Sequence, residues 1–320
     1  MTKQLIKDLK SSDKIQSYFS VKYKHPLREY RKGFMFVLGL ADNSGEIESI
    51  YWGDQDKNFA QEIYDSIKEN DVIYIEGIVN EFQNKLKIDI NKETGIVKKS
   101  KEEEYEIEDF VPKTPRDIEE MSKELYKIID SIKNKYLKEL LNTFFSDEHF
   151  IREFEKAPAA MYIHQAYIGG LLEHTLNVVK ICQSINLIYP KLDTDLLFTG
   201  AILHDIGKIK EFVVTSNIKQ SEEGMLRGHI ILGEEMVLKK IAHINDFPDN
   251  LKIKIAHIML SHHGSTEFGS PKEPQFPEAL AVYYADETDS KVSQYIQAKE
   301  DANTDDFRTY SKRLGQIYLR

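Results

Sequence analysis

Leu203-His204-Asp205-Ile206-Gly207-Lys208 constrains this chain more than any other stretch. It closes a segment from Asp195 to about Ile206 whose apolar spacing predicts a helix. Leu197, Gly200 and Ala201 stand at i−7, i−4 and i−3 from His204, so His204 falls on a buried face. Gly200 and Ala201 are small enough for another helix to approach closely. An ionised Asp205 in that setting is costly unless it is paired or bound to metal. His supplies an imidazole nitrogen, Asp can bridge two cations through its two oxygens, and Lys208 suits a phosphate. A His-Asp pair alone means little, so the reading depends on partners elsewhere.

Those partners follow on segments of the right kind. Gly169-Gly170-Leu171-Leu172-Glu173-His174 opens a helix to about Ile188, with His174 on the face of Leu171, Val178, Ile181 and Ile185. Arg227-Gly228-His229 begins a further helical segment, backed by Ile230, Val237 and Ile241. Ile255 to Gly264 ends another with His262-His263, and Ala281 to Asp286 supplies a fifth, with Asp289 at i+3 on the face of Asp286. From Ile118 onward Met121, Leu125, Ile128, Ile129 and Ile132 share a stripe, and no convincing strand run appears. Residues 116–320 therefore read as an all-α domain.

The N-terminal part has a different period. Phe34 to Ala41 is a buried strand, Asp42-Asn43-Ser44-Gly45 is turn chemistry, and Glu46 to Trp52 alternates with Ile47, Ser49 and Tyr51 on one side. A strand near Ile15 to Tyr23, a helix over Phe59 to Ile67, and strands Val72 to Val79 and Lys85 to Ile90 complete the set. Three strands, a helix and two strands is the order of a five-stranded β-barrel, the OB-fold, over residues 13–95. Residues 96–115, carrying Lys101 to Asp109 and then Pro112 and Pro115, read as an acidic linker, after which Asp117 is placed to cap a helix.

Composition removes some classes. The net charge of −10 argues against coating nucleic acid by bulk electrostatics, though not against a local basic groove. A single cysteine, Cys182, excludes an internal disulfide framework, and no apolar run approaches a membrane span. Met1 to Lys10 lacks the apolar core of a signal peptide, so a cytoplasmic location is expected.

Leu38 to Glu48 followed by Tyr51-Trp52 resembles the second and third strands of the tRNA-anticodon-binding type of OB-fold. That likeness implies single-strand binding on aromatic platforms in a basic groove. The candidates are Lys22, Lys24, Arg28, Arg31, Lys32, Tyr51, Trp52 and Phe82; the plainer alternative is that the aromatic residues pack the barrel and the basic ones are solvated. The ordered set His174, His204-Asp205, His229, His262-His263, Asp286 resembles the HD superfamily of metal-dependent phosphohydrolases. Ser261-His262-His263-Gly264, Glu267-Phe268-Gly269-Ser270-Pro271 and Tyr310-Ser311-Lys312-Arg313 narrow the likeness to the YhaM-type 3′–5′ exoribonucleases, which join an OB-fold to an HD domain.

The resemblance implies that His174, His204, Asp205 and Asp286 hold one metal, and that Asp205 bridges to a second held by His229 and His262. The two neighbours His262 and His263 could exchange roles; with His262 as ligand, His263 faces the substrate. It also implies that Lys208 contacts the scissile phosphate. Arg227 stands where an apolar residue is expected, and is either an extra phosphate contact or a surface residue. The expected cofactor is two divalent ions, manganese first, with iron, cobalt or magnesium accommodated by the same donors. The expected reaction is release of nucleoside 5′-monophosphates from the 3′ end of single-stranded RNA, with single-stranded DNA as a second substrate, by a homo-oligomer such as a hexamer. The chain departs from the family at His164-Gln165, where a His pair is common. Rival readings are a phosphodiesterase of nucleotides or cyclic dinucleotides, and a nucleic-acid-binding regulator whose HD domain is structural.

Overall fold

The structure, a computed structural model, describes residues 4–161, 165–302, 304, 306–311 and 313–320. The chain forms two compact units: residues up to Pro112 together with Val214–Asn217, and Lys113–Val213 with Ile218–Arg320.

The first unit is a closed barrel. Strands β1 (Lys14–Tyr30), β2 (Gly33–Asp42) and β3 (Gly45–Trp52) are followed by helix α1 (Lys57–Ser66), then β4 (Val72–Phe82), β5 (Lys85–Asn91) and β6 (Ile96–Lys99). The pairing order β1-β2-β3-β5-β4 closes because β1 also pairs with β4, and only β3–β5 is parallel. This is the five-stranded OB topology. Strand β1 serves both neighbours by shifting register between Val21 and Tyr23 and between His25 and Arg28, the bends that closure requires. The alternation in β3 is as expected: Ile47, Ser49 and Tyr51 are buried. Gln83 and Asn84, both with positive φ, make the two-residue β4–β5 turn. The interior is filled by Ile15, Phe19, Phe36, Leu38, Leu40, Ile73, Ile75, Ile88 and Ile90. One expectation is corrected: the segment assigned to a linker from residue 96 begins as a strand, β6 pairing with β4 through Ile73↔Lys99 to Glu76↔Ile96. Its charged residues hid it, because an edge strand with two lysines has no apolar alternation to read.

The second unit is helical. It contains α2 (Ile118–Ser131), α3 (Lys135–Phe145), α4 (Glu148–Lys156), α5 (Gly170–Ile188), α6 (Thr194–Leu203), α7 (Lys208–Glu211), α8 (Glu222–Ile241), α9 (Asp249–Ser261) and α10 (Pro277–Glu300). Side chains of Asp117, Asn134, Asp147, Asp193 and Ser221 accept from backbone N–H groups at the starts of α2, α3, α4, α6 and α8. The expectation of no strands here is corrected by two short hairpins, β7 (Phe212–Val214) with β8 (Ile218–Gln220) and β9 (Arg308–Ser311) with β10 (Gly315–Tyr318). At three or four residues a strand is too short to show a period.

Helix α6 sits at the centre: every residue from Leu196 to Leu203 is buried, so it is apolar all round. Leu171, Leu172, Val178, Val179, Leu251, Ile255, Ile258, Ala281, Val282 and Ala285 pack around it in one core. That core fixes the relative positions of the helix ends that carry the histidines. No helix among the described residues is long and apolar enough to cross a membrane.

Candidate metal centre

Five elements deliver the site. His174 lies in the second turn of α5, His204 and Asp205 follow α6, His262 follows α9, and Asp286 lies on α10. His229 comes from the middle of α8, where Gly228 breaks the helix with φ 69° and ψ 157°. The expected helical start at His229 is therefore the second arm of a helix that begins at Glu222.

The side chains form two overlapping groups: His174, His204, Asp205 and Asp286, and Asp205, His229, His262 and His263. Within each, the candidate ligand atoms lie within 4.8 Å of one another, so each could hold a cation. His174 Nε2 lies 3.2 Å from Asp286 Oδ1, 3.3 Å from Asp205 Oδ2 and 3.2 Å from His204 Nε2. His229 Nε2 and His262 Nε2 lie 3.4 and 3.5 Å from Asp205 Oδ1. Asp205 is thus shared, one oxygen toward each group.

The other ring nitrogens fix the direction of these lone pairs. His204 Nδ1 donates to Ala201 O at 2.8 Å and His262 Nδ1 to Met259 O at 2.7 Å. His174 Nδ1 donates to Asp289 Oδ2 and His229 Nδ1 to Glu211 Oε2, both at 2.7 Å. All four partners accept, which places the proton on Nδ1 and turns Nε2 inward, the arrangement of histidines that ligate metals. Three buried atoms are left without a hydrogen-bond partner at one place: Asp205 Oδ1, His229 Nε2 and His262 Nε2. Buried polar groups are rarely orphaned, and convergent orphaned acceptors fit a cation.

The two carboxylates of the cluster are held in their charged form. Burial opposes ionisation of Asp205, but Lys208, His204 and His174 hold its pKa well below the usual carboxylate range. Asp286 is likewise depressed against burial, chiefly by His174 and His204. Burial opposes protonation of His174, but Asp205, Asp286 and Asp289 outweigh it and raise its pKa. Burial, then His262 and His229, pushes His263 down to about 3, leaving it a neutral imidazole.

A cavity of about 440 Å³ opens on the cluster, lined by His174, Lys208, Glu211, His229, His263 and Asp286 among others. Lys208 Nζ sits 2.5 Å from Asp205 Oδ2 at its wall. The glycine of the motif has a structural role there. A Cβ on Gly207 would lie 2.0 Å from the His229 carbonyl oxygen and 2.5 Å from Gly233 N, so Gly207 lets α8 dock against the motif and seat His229.

One supporting residue of the site, Glu211, was not legible in the sequence. Glu211, three residues past Lys208, orients His229. Asp289 was visible through its i+3 spacing from Asp286, but its partner is His174; Gln165 Nε2 and Asn177 Nδ2 each donate to it at 3.0 Å. His164 lies outside the described residues. Arg227 is exposed and held between Glu223 and Glu235, and it does not line the cavity.

In the barrel the basic and aromatic candidates separate. Lys24 Nζ donates to Tyr64 O at 2.8 Å and Ile67 O at 2.6 Å, which commits its charge to the C-terminus of α1. Tyr51 is buried against Phe36, and Trp52 is half-buried, donating from Nε1 to Asp89 at 2.8 Å. Lys22, Arg28, Arg31 and Lys32 are exposed. Phe82, 60% exposed, lines a groove of about 620 Å³ with Tyr23, Lys85, Lys87 and Glu48. Tyr23, Lys85 and Lys87 were not anticipated; the Tyr23 ring covers Gly39 so closely that a Cβ there would meet it at 2.1 Å.

A family model described as an HD domain matches residues 171–291. The 3′-5′ exoribonuclease YhaM of Bacillus subtilis (strain 168) is 30% identical over 264 residues, covering 82% of this chain and 81% of that protein. The 3′-5′ exoribonuclease YhaM of Shouchella clausii (strain KSM-K16) is 30% identical over 276 residues, covering 86% of this chain and 83% of that one. With identity sustained over more than four-fifths of both partners, this chain belongs to the YhaM family of 3′-5′ exoribonucleases, enzymes that hydrolyse phosphodiester bonds.

Proposed function

We propose that the protein is a metal-dependent 3′–5′ exoribonuclease that hydrolyses single-stranded RNA to nucleoside 5′-monophosphates. The observation that carries this reading is the convergence of Asp205 Oδ1, His229 Nε2 and His262 Nε2, buried and without hydrogen-bond partners, beside a second group that shares Asp205. His174, His204, Asp205 and Asp286 would hold one divalent ion, and Asp205, His229 and His262 another. When bound, a pair of such ions supplies charge neutralisation at the phosphate and a nucleophile at neutral pH. The mixed imidazole and carboxylate donors suit manganese, with iron, cobalt and magnesium accommodated.

The chain's own residues do the rest. Asp289 and Glu211 hold two imidazoles in the productive tautomer. Lys208 lines the cavity beside Asp205 and is placed to add positive charge at a non-bridging phosphate oxygen. His263, kept neutral, lines the same cavity and can hydrogen-bond substrate without adding charge.

Elemental analysis should find about two metal ions per chain after manganese loading. Activity on end-labelled RNA should vanish on chelation and return with manganese. Saturating metal should also raise the melting temperature, because binding at about a thousand times Kd adds roughly 4 kcal/mol. Protein that binds no metal, or activity indifferent to chelation, would rule the reading out.

In the barrel, the groove lined by Tyr23 and Phe82 supports single-strand binding. Its exposed rings stand beside Lys85 and Lys87, the combination that stacks bases and follows a phosphate backbone. Tyr23→Ala and Phe82→Ala should each weaken RNA binding by about 1–3 kcal/mol, read as Kd by fluorescence anisotropy. Hydrolysis of a small diester should be much less affected. Unaltered Kd in both variants would move the strand to another face.

A further inference from the structure

The cavity at the histidine–aspartate cluster extends along α10 beyond Asp286. Ser290, Lys291 and Gln294 line it, as does Arg313 from the turn between β9 and β10. Three cations therefore border it, and they are not equivalent. Lys208 is tied to the buried Asp205 at 2.5 Å. Lys291 meets the half-buried Glu287 at 3.7 Å, a long and partly solvated pair of little strength. Among the described residues no carboxylate pairs with the Arg313 guanidinium; its backbone N–H donates to Ser311 Oγ at 3.3 Å. Asp205 and Asp286 are already paired by imidazoles and Lys208, so Lys291 and Arg313 are not needed to neutralise them.

Their position fits a polyanionic ligand that enters past them. Lys291 lies five residues beyond Asp286, roughly 7.5 Å along the helix axis, on the scale of one phosphate-to-phosphate step. A guanidinium fork and an ammonium beside it are the groups that recognise a phosphate. We propose that Lys291 and Arg313 bind the phosphate next to the scissile one on its 5′ side, so that the site distinguishes a strand from an isolated diester. This rests on the exonuclease reading above.

The test compares a 5′-phosphorylated dinucleotide, pNpN, with the unphosphorylated NpN, both with manganese supplied. Only pNpN carries the neighbouring phosphate. The wild-type protein should prefer pNpN in kcat/KM by roughly tenfold or more, the scale of a charge-assisted hydrogen bond. Arg313→Ala and Lys291→Ala should each bring that ratio toward one. Arg313→Lys, which keeps the charge and loses the fork, should fall between. Both residues are exposed, so folding should survive, and circular dichroism checks it. The proposal is overturned if the wild type shows no preference, or if both alanine variants keep it. Cleavage of neither dinucleotide also overturns it, and digestion of long RNA in parallel shows whether the exonuclease reading falls with it.

Discussion

Asp205→Asn should lower the release of mononucleotides from end-labelled single-stranded RNA by at least about three orders of magnitude. The carboxylate is the one side chain common to both candidate ligand groups, with Oδ2 toward His174 and His204 and Oδ1 toward His229 and His262. An amide keeps the volume but removes the charge and turns an N–H toward one set of inward lone pairs. Metal ions are worth several kcal/mol of transition-state charge stabilisation, and each 1.36 kcal/mol is tenfold in rate. The fold should persist, because Lys208 lies at the cavity wall and can turn to solvent once its partner is neutral. The far-ultraviolet circular dichroism should therefore match the wild type. His204→Ala should behave similarly, since His204 Nε2 is 3.3 Å from Asp205 Oδ2 and its Nδ1 is anchored on Ala201. Undiminished digestion by both variants would show that the chemistry lies elsewhere.

Why Asp205 stood out in the sequence and Glu211 did not is a matter of range. Asp205 and His204 follow the buried run Leu196 to Leu203, so a charge there had to be answered, and sequence spacing exposed it. Glu211 acts through a hydrogen bond to His229, set by the docking of α7 and α8, and no local pattern encodes that. Asp289 was placed on the correct face of α10 by its i+3 spacing, yet its partner on α5 depended on how two helices pack. In the barrel, the alternation of Ile47, Ser49 and Tyr51 was readable because one face is buried and the other is wet. The fate of Lys24 was not, because a lysine reaching carbonyls at the end of α1 looks in sequence like any solvated lysine. Nor was Tyr23, whose exposure follows from a register shift in β1 that moves it over Gly39.

Gly207→Ala should separate the two halves of the site. Gly207 has φ −66°, so alanine meets no backbone strain there, and the effect must come from space. The added methyl would lie 2.0 Å from His229 O, 2.5 Å from Gly233 N and 2.9 Å from His229 C. All three are backbone atoms, so α8 itself must move. Overpacking of this kind costs about 1–3 kcal/mol, a drop of several degrees in melting temperature. The displaced element carries His229 and not His174, His204 or Asp286. Metal content should consequently fall from about two per chain toward one, and RNA hydrolysis by at least about tenfold, a ligand displaced by 1 Å being enough for larger losses. Gly45→Ala is the control, since a Cβ there meets only Ile6, at 3.4 Å, an ordinary contact. It should leave both metal content and hydrolysis unchanged. If Gly207→Ala retains two metals and full rate, His229 is not a ligand, and the second group of donors has another purpose.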